Sequence, residues 1–254
     1  AIAEQDRVLH FPYHAYDYVI RFLKQAADDP AVKAIRATQY RVASNSAVVN
    51  ALIRAAQNGV DVTVFVELKA RFDEAANLRF AQEMSRAGVK IIYSIPGLKV
   101  HAKVALVERE EQGELRGYAF LSTGNFNEKT ARVYADHGFF TARQYLTREL
   151  AEVFEYLADQ QYRPRPFRYL LVAQFNMRDR FLALIQREVD AAAAGQTGRI
   201  LIKLNNLEDQ RMIDQLYEAS QAGVKVTLIV RGICCLRPEV QGLSENIRVI
   251  RLVD

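Results

Sequence analysis

The sequence predicts an α/β fold in which mostly parallel sheets are flanked by helices. Segments with strand character alternate with helical segments along most of the chain. Residues 60–68, VDVTVFVEL, are apolar and β-branched almost throughout, which is typical of a strand buried on both faces. In addition, one helix–glycine–strand unit occurs twice, so the same architecture is expected in two halves of the chain.

The elements follow from periodicity and end signals. Helices are predicted where apolar residues recur at helical spacing, at 16–27, 47–57, 74–87 and 146–158. The second of these can be capped by Ser44, Asn45 or Ser46 and ends at Gly59. Strands are predicted at 32–40, 60–68, 89–95, 97–107, 118–122 and 247–253, with a polar hairpin-like excursion over 109–117.

The repeat relates residues 164 positions apart without a gap, aligning Gly59-Val60-Asp61-Val62-Thr63 with Gly223-Val224-Lys225-Val226-Thr227. The best boundary between the halves is the segment 160–166, QQYRPRP, which contains two prolines and two arginines. We therefore predict one domain over 1–165 and a second over 166–254. Because the last strand corresponds to 89–95, the second domain is expected to be incomplete and the chain to be a piece of a longer protein.

Composition excludes several classes of protein. The 254 residues are 50% hydrophobic and 25% charged, as in ordinary globular proteins, and no apolar run is long enough to cross a bilayer. The net charge of +4 permits an anionic ligand but is low for a protein that coats nucleic acid, so no nucleic-acid partner is expected. The two cysteines, Cys234 and Cys235, are adjacent, which favours packing in a reducing compartment over a disulfide framework.

The segment GLKVHAKVALV, residues 97–107, carries the strongest chemical signal. Its period-2 pattern predicts a strand on which Lys99, His101 and Lys103 share a face. Two neighbouring ammonium groups disfavour a charged imidazole, so we expect His101 to be neutral at pH 7 and able to act as a nucleophile where an anion binds. Of the four histidines only His101 is predicted to be functional; His10 and His14 are expected to be structural, and His137 has no predicted partner.

A second polar segment, LSTGNFN at 121–127, follows about 20 residues after His101. Asn125, Asn127 and the backbone N–H groups of such a turn can hold a phosphate or orient the imidazole. Together the two segments resemble the His-x-Lys…Gly/Ser-x-Asn pattern of the phospholipase D superfamily. The chain departs from that pattern at Glu108, where the superfamily has Asp, which indicates a divergent branch.

Cationic residues also follow several predicted strands. Arg41, Lys69, Arg71 and Arg231 come at strand ends, where ligands of α/β sheets bind. Guanidinium groups grip phosphate oxygens bidentately, and converging cations would stabilise a phosphoryl group in transfer. Each such residue alone is more simply a solvated surface charge, and only the set suggests an anion site.

Six motifs in order carry a closer resemblance: TQYRVASNS, VELKARFDEAAN, GLKVHAK, STGNFNEKTARVYAD, LIKLNNLEDQ and LIVRGICCLRP. Together they resemble the polyphosphate kinases of the ATP-using, phosphohistidine type, whose two C-terminal domains are phospholipase-D-like. The resemblance covers essentially the whole chain. It implies a fold of two duplicated phospholipase-D-like domains, the second truncated here, and reversible transfer of the terminal phosphoryl group of ATP to polyphosphate.

The resemblance also implies site residues. His101 would be phosphorylated, Arg41 and Arg71 would engage phosphate and its Mg²⁺, and Tyr134 and Arg231 would contact the nucleotide. Because a protonated guanidinium cannot ligate a metal, the two arginines are expected to touch the phosphates that the ion bridges. Lys103, Asn125 and Asn127 are added as catalytic residues from strand facing and turn chemistry.

The resemblance further implies ATP or ADP and polyphosphate as partners, a homo-oligomeric full-length protein, and a cytoplasmic location with peripheral membrane association left open. Counted from the correspondence of 247–253 with 89–95, the second histidine of the family's cleft would lie about five residues past Asp254. The isolated chain is therefore expected to be inactive. The alternatives are a phospholipase-D-superfamily phosphodiesterase acting on lipid or nucleic acid, and a non-catalytic polyanion-binding module.

Overall fold

A computed structural model describes residues 2–40, 46–67, 74–93, 95 and 97–252 of the chain. The chain divides into two compact units, Ala1–Leu170 and Leu171–Asp254. Among the described residues, no helix combines the length and the apolar character needed to cross a membrane.

The first unit contains one mixed sheet and helices on both of its faces. Its elements in chain order are β1 (Arg7–Phe11), α1 (Asp17–Asp28), β2 (Val32–Gln39), α2 (Ala47–Gln57), β3 (Asp61–Val66), α3 (Glu74–Arg86), β4 (Lys90–Tyr93), β5 (Lys103–Glu111), β6 (Glu114–Ser122), a 3₁₀ helix (Thr130–Arg132), β7 (Asp136–Thr141) and α4 (Gln144–Ala158). The predicted α/β class and the four predicted helices are confirmed, with shifts of one or two residues at their ends.

The sheet has the order β1-β7-β6-β5-β2-β3-β4. Only β2, β3 and β4 pair in parallel, whereas β2–β5, β5–β6, β6–β7 and β7–β1 are antiparallel. The antiparallel half is larger than predicted because the polar excursion is itself strand. Gln112 and Gly113 have φ of 53° and 82°, the left-handed values of a two-residue hairpin turn, so β5 runs straight back into β6.

Strand alternation divides the first unit into two cores. On one face, Ile35, Ala37 and Ala105 pack with α1, α2 and α3. On the other face, Val104 and Leu106 pack with Leu150 and Phe154 of α4 and with other apolar residues. Residues of β5 at odd positions therefore belong to the first face and those at even positions to the second.

Helix α2 shows why these residues form the predicted element. The Ser46 hydroxyl accepts a hydrogen bond from Val49 N–H at 3.3 Å, which caps the first turn. Val48, Leu52 and Ala55, spaced for one helix face, are fully buried. Gly59, at φ 86°, ends the helix in a conformation that a residue with a side chain rarely adopts.

The second unit repeats this arrangement around a smaller, wholly parallel sheet. Its elements are a π-helical turn (Ala173–Met177), α5 (Arg178–Ala193), β8 (Arg199–Leu204), α6 (Gln210–Gln221), β9 (Lys225–Val230) and β10 (Ile247–Arg251). The strand order β10-β9-β8 is that of β4-β3-β2. Gly223, at φ 89°, ends α6 as Gly59 ends α2. The predicted duplication is thus present in the fold.

Candidate active site

A strand was predicted over 97–107, but strand β5 begins only at Lys103. The prediction is therefore wrong for the residues before Lys103. Residues 98–102 have no regular secondary structure. Three of their backbone groups, Val100 N–H, His101 O and Ala102 O, bond side chains. Thr38, buried at the end of β2, donates its hydroxyl to Ala102 O at 2.8 Å and accepts from Val104 N–H at 3.1 Å. His101 therefore lies on a short, anchored segment that leads into β5.

The ring of Tyr40 is the centre on which the predicted residues meet. The His101 imidazole contacts it edge-on, with ring centroids 4.6 Å apart and an interplanar angle of 86°. Lys103 Nζ lies 5.1 Å and Lys99 Nζ 5.9 Å from the centroid of the same ring, within cation–π range. The imidazole and the two ammonium groups thus converge as the sequence predicted, although not because they share a strand face.

Lys103 is 5% exposed, and its ammonium group donates to His101 O at 2.6 Å. A buried ammonium group needs such partners because an unpaired buried charge is costly. The lysine side chain is therefore tied to the backbone of the residue that it is predicted to assist.

The β5–β6 hairpin brings the second polar segment to Lys103, since Lys103 and Ser122 are register partners. The turn that follows is held by its own hydroxyl groups. Ser122 Oγ accepts from Gly124 N–H at 3.0 Å, and Thr123 Oγ1 donates to the Asp136 carboxylate at 2.8 Å. Gly124 is required here, because a Cβ at that position would collide with the same carboxylate.

The two predicted asparagines have different surroundings. Asn127 Oδ1 accepts from Lys129 N–H and Thr130 N–H, both at 3.1 Å, and so caps the 3₁₀ helix. Asn125 Oδ1 is buried and has no hydrogen-bond partner among the described residues. Because a buried carbonyl oxygen without a donor is costly, Asn125 is the better placed of the two to meet an incoming donor.

Glu128 connects this turn to helix α2. Its Oε1 accepts from Ser46 Oγ at 2.9 Å and from Val48 N–H at 3.2 Å, which places a carboxylate at the positive end of the helix. Burial, reinforced by the charges of Glu128 and Asp136, raises the pKa of the Tyr16 phenol well above its ordinary value. Two carboxylates, those of Glu128 and Asp136, therefore lie beside this turn.

Four further residues were predicted for the site. Tyr134 follows the 3₁₀ helix and is half exposed. Arg231 follows β9 in the second unit, where its Nε donates to Asn205 Oδ1 at 3.1 Å. Arg41 and Arg71 lie outside the described residues.

The other histidines have structural contacts. His10 and His137 are register partners on β1 and β7, and their rings stack at 4.7 Å. His14 Nδ1 accepts from His10 N–H at 2.8 Å. The stacking partner of His137 could not be foreseen, because β1 was not predicted from the sequence.

Four buried polar residues that support the site were not predicted from the sequence. Thr38, Tyr40, Glu67 and Asn77 are each less than a tenth exposed. A signal was present, because Glu67 is an acidic residue directly after the apolar strand end VFV, residues 64–66. Among the described residues, no group of three His, Cys, Asp or Glu side chains is arranged to hold a metal ion.

Comparison with known proteins agrees with this architecture. Residues 1–163 match the family described as "Polyphosphate kinase C-terminal domain 1", and residues 170–254 match "Polyphosphate kinase C-terminal domain 2". The crystal structure of polyphosphate kinase from Porphyromonas gingivalis is similar, with a TM-score of 0.89 and 51% identity, covering 100% of this chain and 42% of that chain. A phosphatidylserine synthase from Haemophilus influenzae shares the fold alone, with a TM-score of 0.56 and 12% identity, over 89% of this chain and 61% of that one.

Curated relatives are similar over the same span. The chain is 48% identical to polyphosphate kinase of Escherichia coli strain K12, covering 100% of this chain and 37% of that protein. It is 49% identical to polyphosphate kinase of Thermosynechococcus vestitus, covering 99% of this chain and 34% of that protein. The chain thus spans little more than a third of the length of these relatives. It belongs to the polyphosphate kinase family and corresponds to the family's two C-terminal domains.

Proposed function

We propose that the full-length protein carrying this chain transfers the terminal phosphoryl group of ATP reversibly to polyphosphate through a phosphohistidine at His101. The observation that carries the proposal is the convergence of His101, Lys99 and Lys103 on the Tyr40 ring. Polyphosphate kinases similar over the whole chain support the choice of ATP and polyphosphate as substrates.

In the proposed first step, an imidazole nitrogen of His101 attacks the γ-phosphorus of ATP. An N–P bond forms, the bond from phosphorus to the bridging oxygen breaks, and ADP leaves with the electron pair. In the second step, a terminal oxygen of polyphosphate attacks the same phosphorus and the imidazole leaves. Ammonium groups beside the imidazole would stabilise the charge on the equatorial oxygens in both steps.

Other residues have proposed supporting roles. Asn125 and Asn127 would border the phosphoryl site, and Asn127 also caps the 3₁₀ helix. Tyr134 and Arg231 would contact the nucleotide, and Arg41 and Arg71 would contact phosphate oxygens. Mg²⁺ is proposed from the family alone. The described residues offer no ligand set for it, so it would be held chiefly by the substrate phosphates, whose charge it would neutralise.

Labelling with [γ-³²P]ATP tests the proposal in the full-length protein. We expect an acid-labile, base-stable label that His101→Gln abolishes and that ADP removes as ATP. His14→Gln is the matched control, because His14 is exposed like His101 and its Nδ1 accepts a hydrogen bond from the backbone of nearby His10. Unchanged labelling in His101→Gln would refute the proposal, and a label formed only from a phosphodiester would favour the phosphodiesterase alternative. The isolated chain is not expected to form ATP from ADP and polyphosphate.

A further inference from the structure

We propose that Glu67 is a positioning residue, whose carboxylate fixes the backbone immediately before His101. The inference rests on the proposed function, since it concerns the placement of the proposed nucleophile. Glu67 was not among the site residues predicted from the sequence, and it has no predicted contact with substrate.

The contact that carries the inference joins two regions far apart in sequence. Glu67 directly follows β3 and is 2% exposed. Its Oε2 accepts a hydrogen bond from Val100 N–H at 3.2 Å. Because 98–102 has no strand partner, this bond and the Thr38 bond to Ala102 O fix the backbone on both sides of His101.

A second set of hydrogen bonds holds Tyr40, whose ring contacts the His101 imidazole. One amide group, Asn77 Nδ2, donates to Tyr40 O at 2.8 Å and to Glu67 O at 3.0 Å. Glu67 N–H in turn donates to Gln39 O at 3.0 Å. The ends of β2 and β3 are thereby joined, so that the ring in contact with His101 and the carboxylate bonded to Val100 belong to one buried polar assembly.

The chemistry of a carboxylate suits this role. A hydrogen bond from a backbone N–H to an ionised acceptor is stronger than one between neutral groups. Burying a carboxylate is unfavourable unless hydrogen bonds compensate, so its presence between two apolar cores calls for a reason beyond packing. Fixing a nucleophile to within a fraction of an ångström is such a reason, because a misplacement of about 1 Å can cost about 100-fold in rate.

Two substitutions separate position from charge in the full-length enzyme. Glu67→Gln keeps an acceptor oxygen at the same reach and removes the charge. Glu67→Asp keeps the charge but shortens the side chain by about 1.5 Å, too far for a good bond to Val100 N–H. We expect Glu67→Asp to lower kcat and the rate of histidine labelling about 100-fold with little change in KM for ATP, and Glu67→Gln to stay within about tenfold of wild type.

Hydrogen exchange measured by mass spectrometry over residues 97–102 gives a readout independent of activity. Exchange should accelerate in Glu67→Asp and not in Glu67→Gln. Glu108→Gln is the matched control, because it removes a carboxylate of the same sheet that bonds Arg36 instead of Val100, and it should leave kcat unchanged. If Glu67→Asp does not fold, Val100→Pro removes the donor while keeping Glu67 and should lower kcat similarly.

Wild-type kcat in Glu67→Asp or in Val100→Pro would overturn the inference, as would equal losses in Glu67→Asp and Glu67→Gln. His101→Gln, measured in parallel, separates the two proposals. If it abolishes labelling while Glu67→Asp labels normally, only the positioning role is wrong. If His101→Gln itself labels normally, the proposed function fails and the positioning role fails with it.

Discussion

Replacing Thr38 by valine should destabilise the first unit through a single hydrogen bond. The substitution keeps the shape of the side chain and removes the hydroxyl that bonds Ala102 O and Val104 N–H. Ala102 is exposed, so water can replace the first bond at little cost. Val104 is 8% exposed, and its N–H loses an acceptor in an apolar core, which costs about 1–3 kcal/mol.

The buried methyl group that valine adds returns about 0.8 kcal/mol. The expected net loss is therefore about 0.2–2.2 kcal/mol, which for a unit of this size lowers Tm by up to about 9 °C. Thr38→Ser is the matched control. Thr38→Ser keeps the hydroxyl but loses a buried methyl group, and the resulting loss of stability is similar to that expected for Thr38→Val. A measurement of stability alone therefore does not distinguish the two variants.

The distinguishing measurement is hydrogen exchange at the Val104 amide, followed by NMR. It should be at least about tenfold faster in Thr38→Val, because a bond worth about 1.4 kcal/mol changes an opening equilibrium tenfold, and unchanged in Thr38→Ser. Circular dichroism supplies Tm, since the chain contains no tryptophan. Equal exchange rates in the two variants would refute the assignment of the hydroxyl as the acceptor for this N–H.

Two further predictions concern the turn and the hairpin. Gly124→Ala should cost about 1–3 kcal/mol and reduce histidine labelling in the full-length protein, because the added methyl group collides with the Asp136 carboxylate; wild-type Tm and labelling would contradict this. A hydrogen bond from Arg109 lowers the pKa of Asp29 below its ordinary value of 3.8. The ionised Asp29 carboxylate therefore stabilises the fold fully at a pH above 3.8, and this stabilisation is lost as the pH falls through the lowered pKa. Tm should therefore fall less between about pH 5 and pH 2 in Asp29→Asn than in wild type; parallel Tm curves for the two proteins would contradict the contribution of this bond.

The parts of the fold that the sequence predicted well are those encoded locally. Helix α2 was located at both ends because Ser46 caps it and Gly59 ends it, and both signals lie next to the apolar repeat. Strand β3 was evident from its β-branched composition, and β9 from the repeat of the helix–glycine–strand unit. Strand β1 was missed because RVLHF is short and mixed, and it becomes a strand only by pairing with β7, more than 120 residues away.

The residues of the site could be predicted where the type of side chain alone indicates the chemistry. His101, Lys99 and Lys103 were identified and do meet, but the surface on which they meet, the Tyr40 ring, was not. Their convergence depends on Thr38 and Glu67 replacing strand partners for 98–102. Such side chain-to-backbone bonds between distant segments leave no periodic pattern in a sequence, which is why a strand was predicted there instead.

The departure from the superfamily pattern at Glu108 can now be given a physical meaning. Five residues separate Glu108 from Lys103, an odd number, so on β5 the two side chains lie on opposite faces of the sheet. Glu108 bonds Arg36 at 2.7 Å on the face covered by α4, and Arg36 also reaches Glu155 of that helix at 3.5 Å. A glutamate in place of an aspartate changes how far this carboxylate reaches toward Arg36, and it changes nothing that faces Lys103. The departure therefore bears on how α4 is held against the sheet, and it is no argument against nucleophilic chemistry at His101.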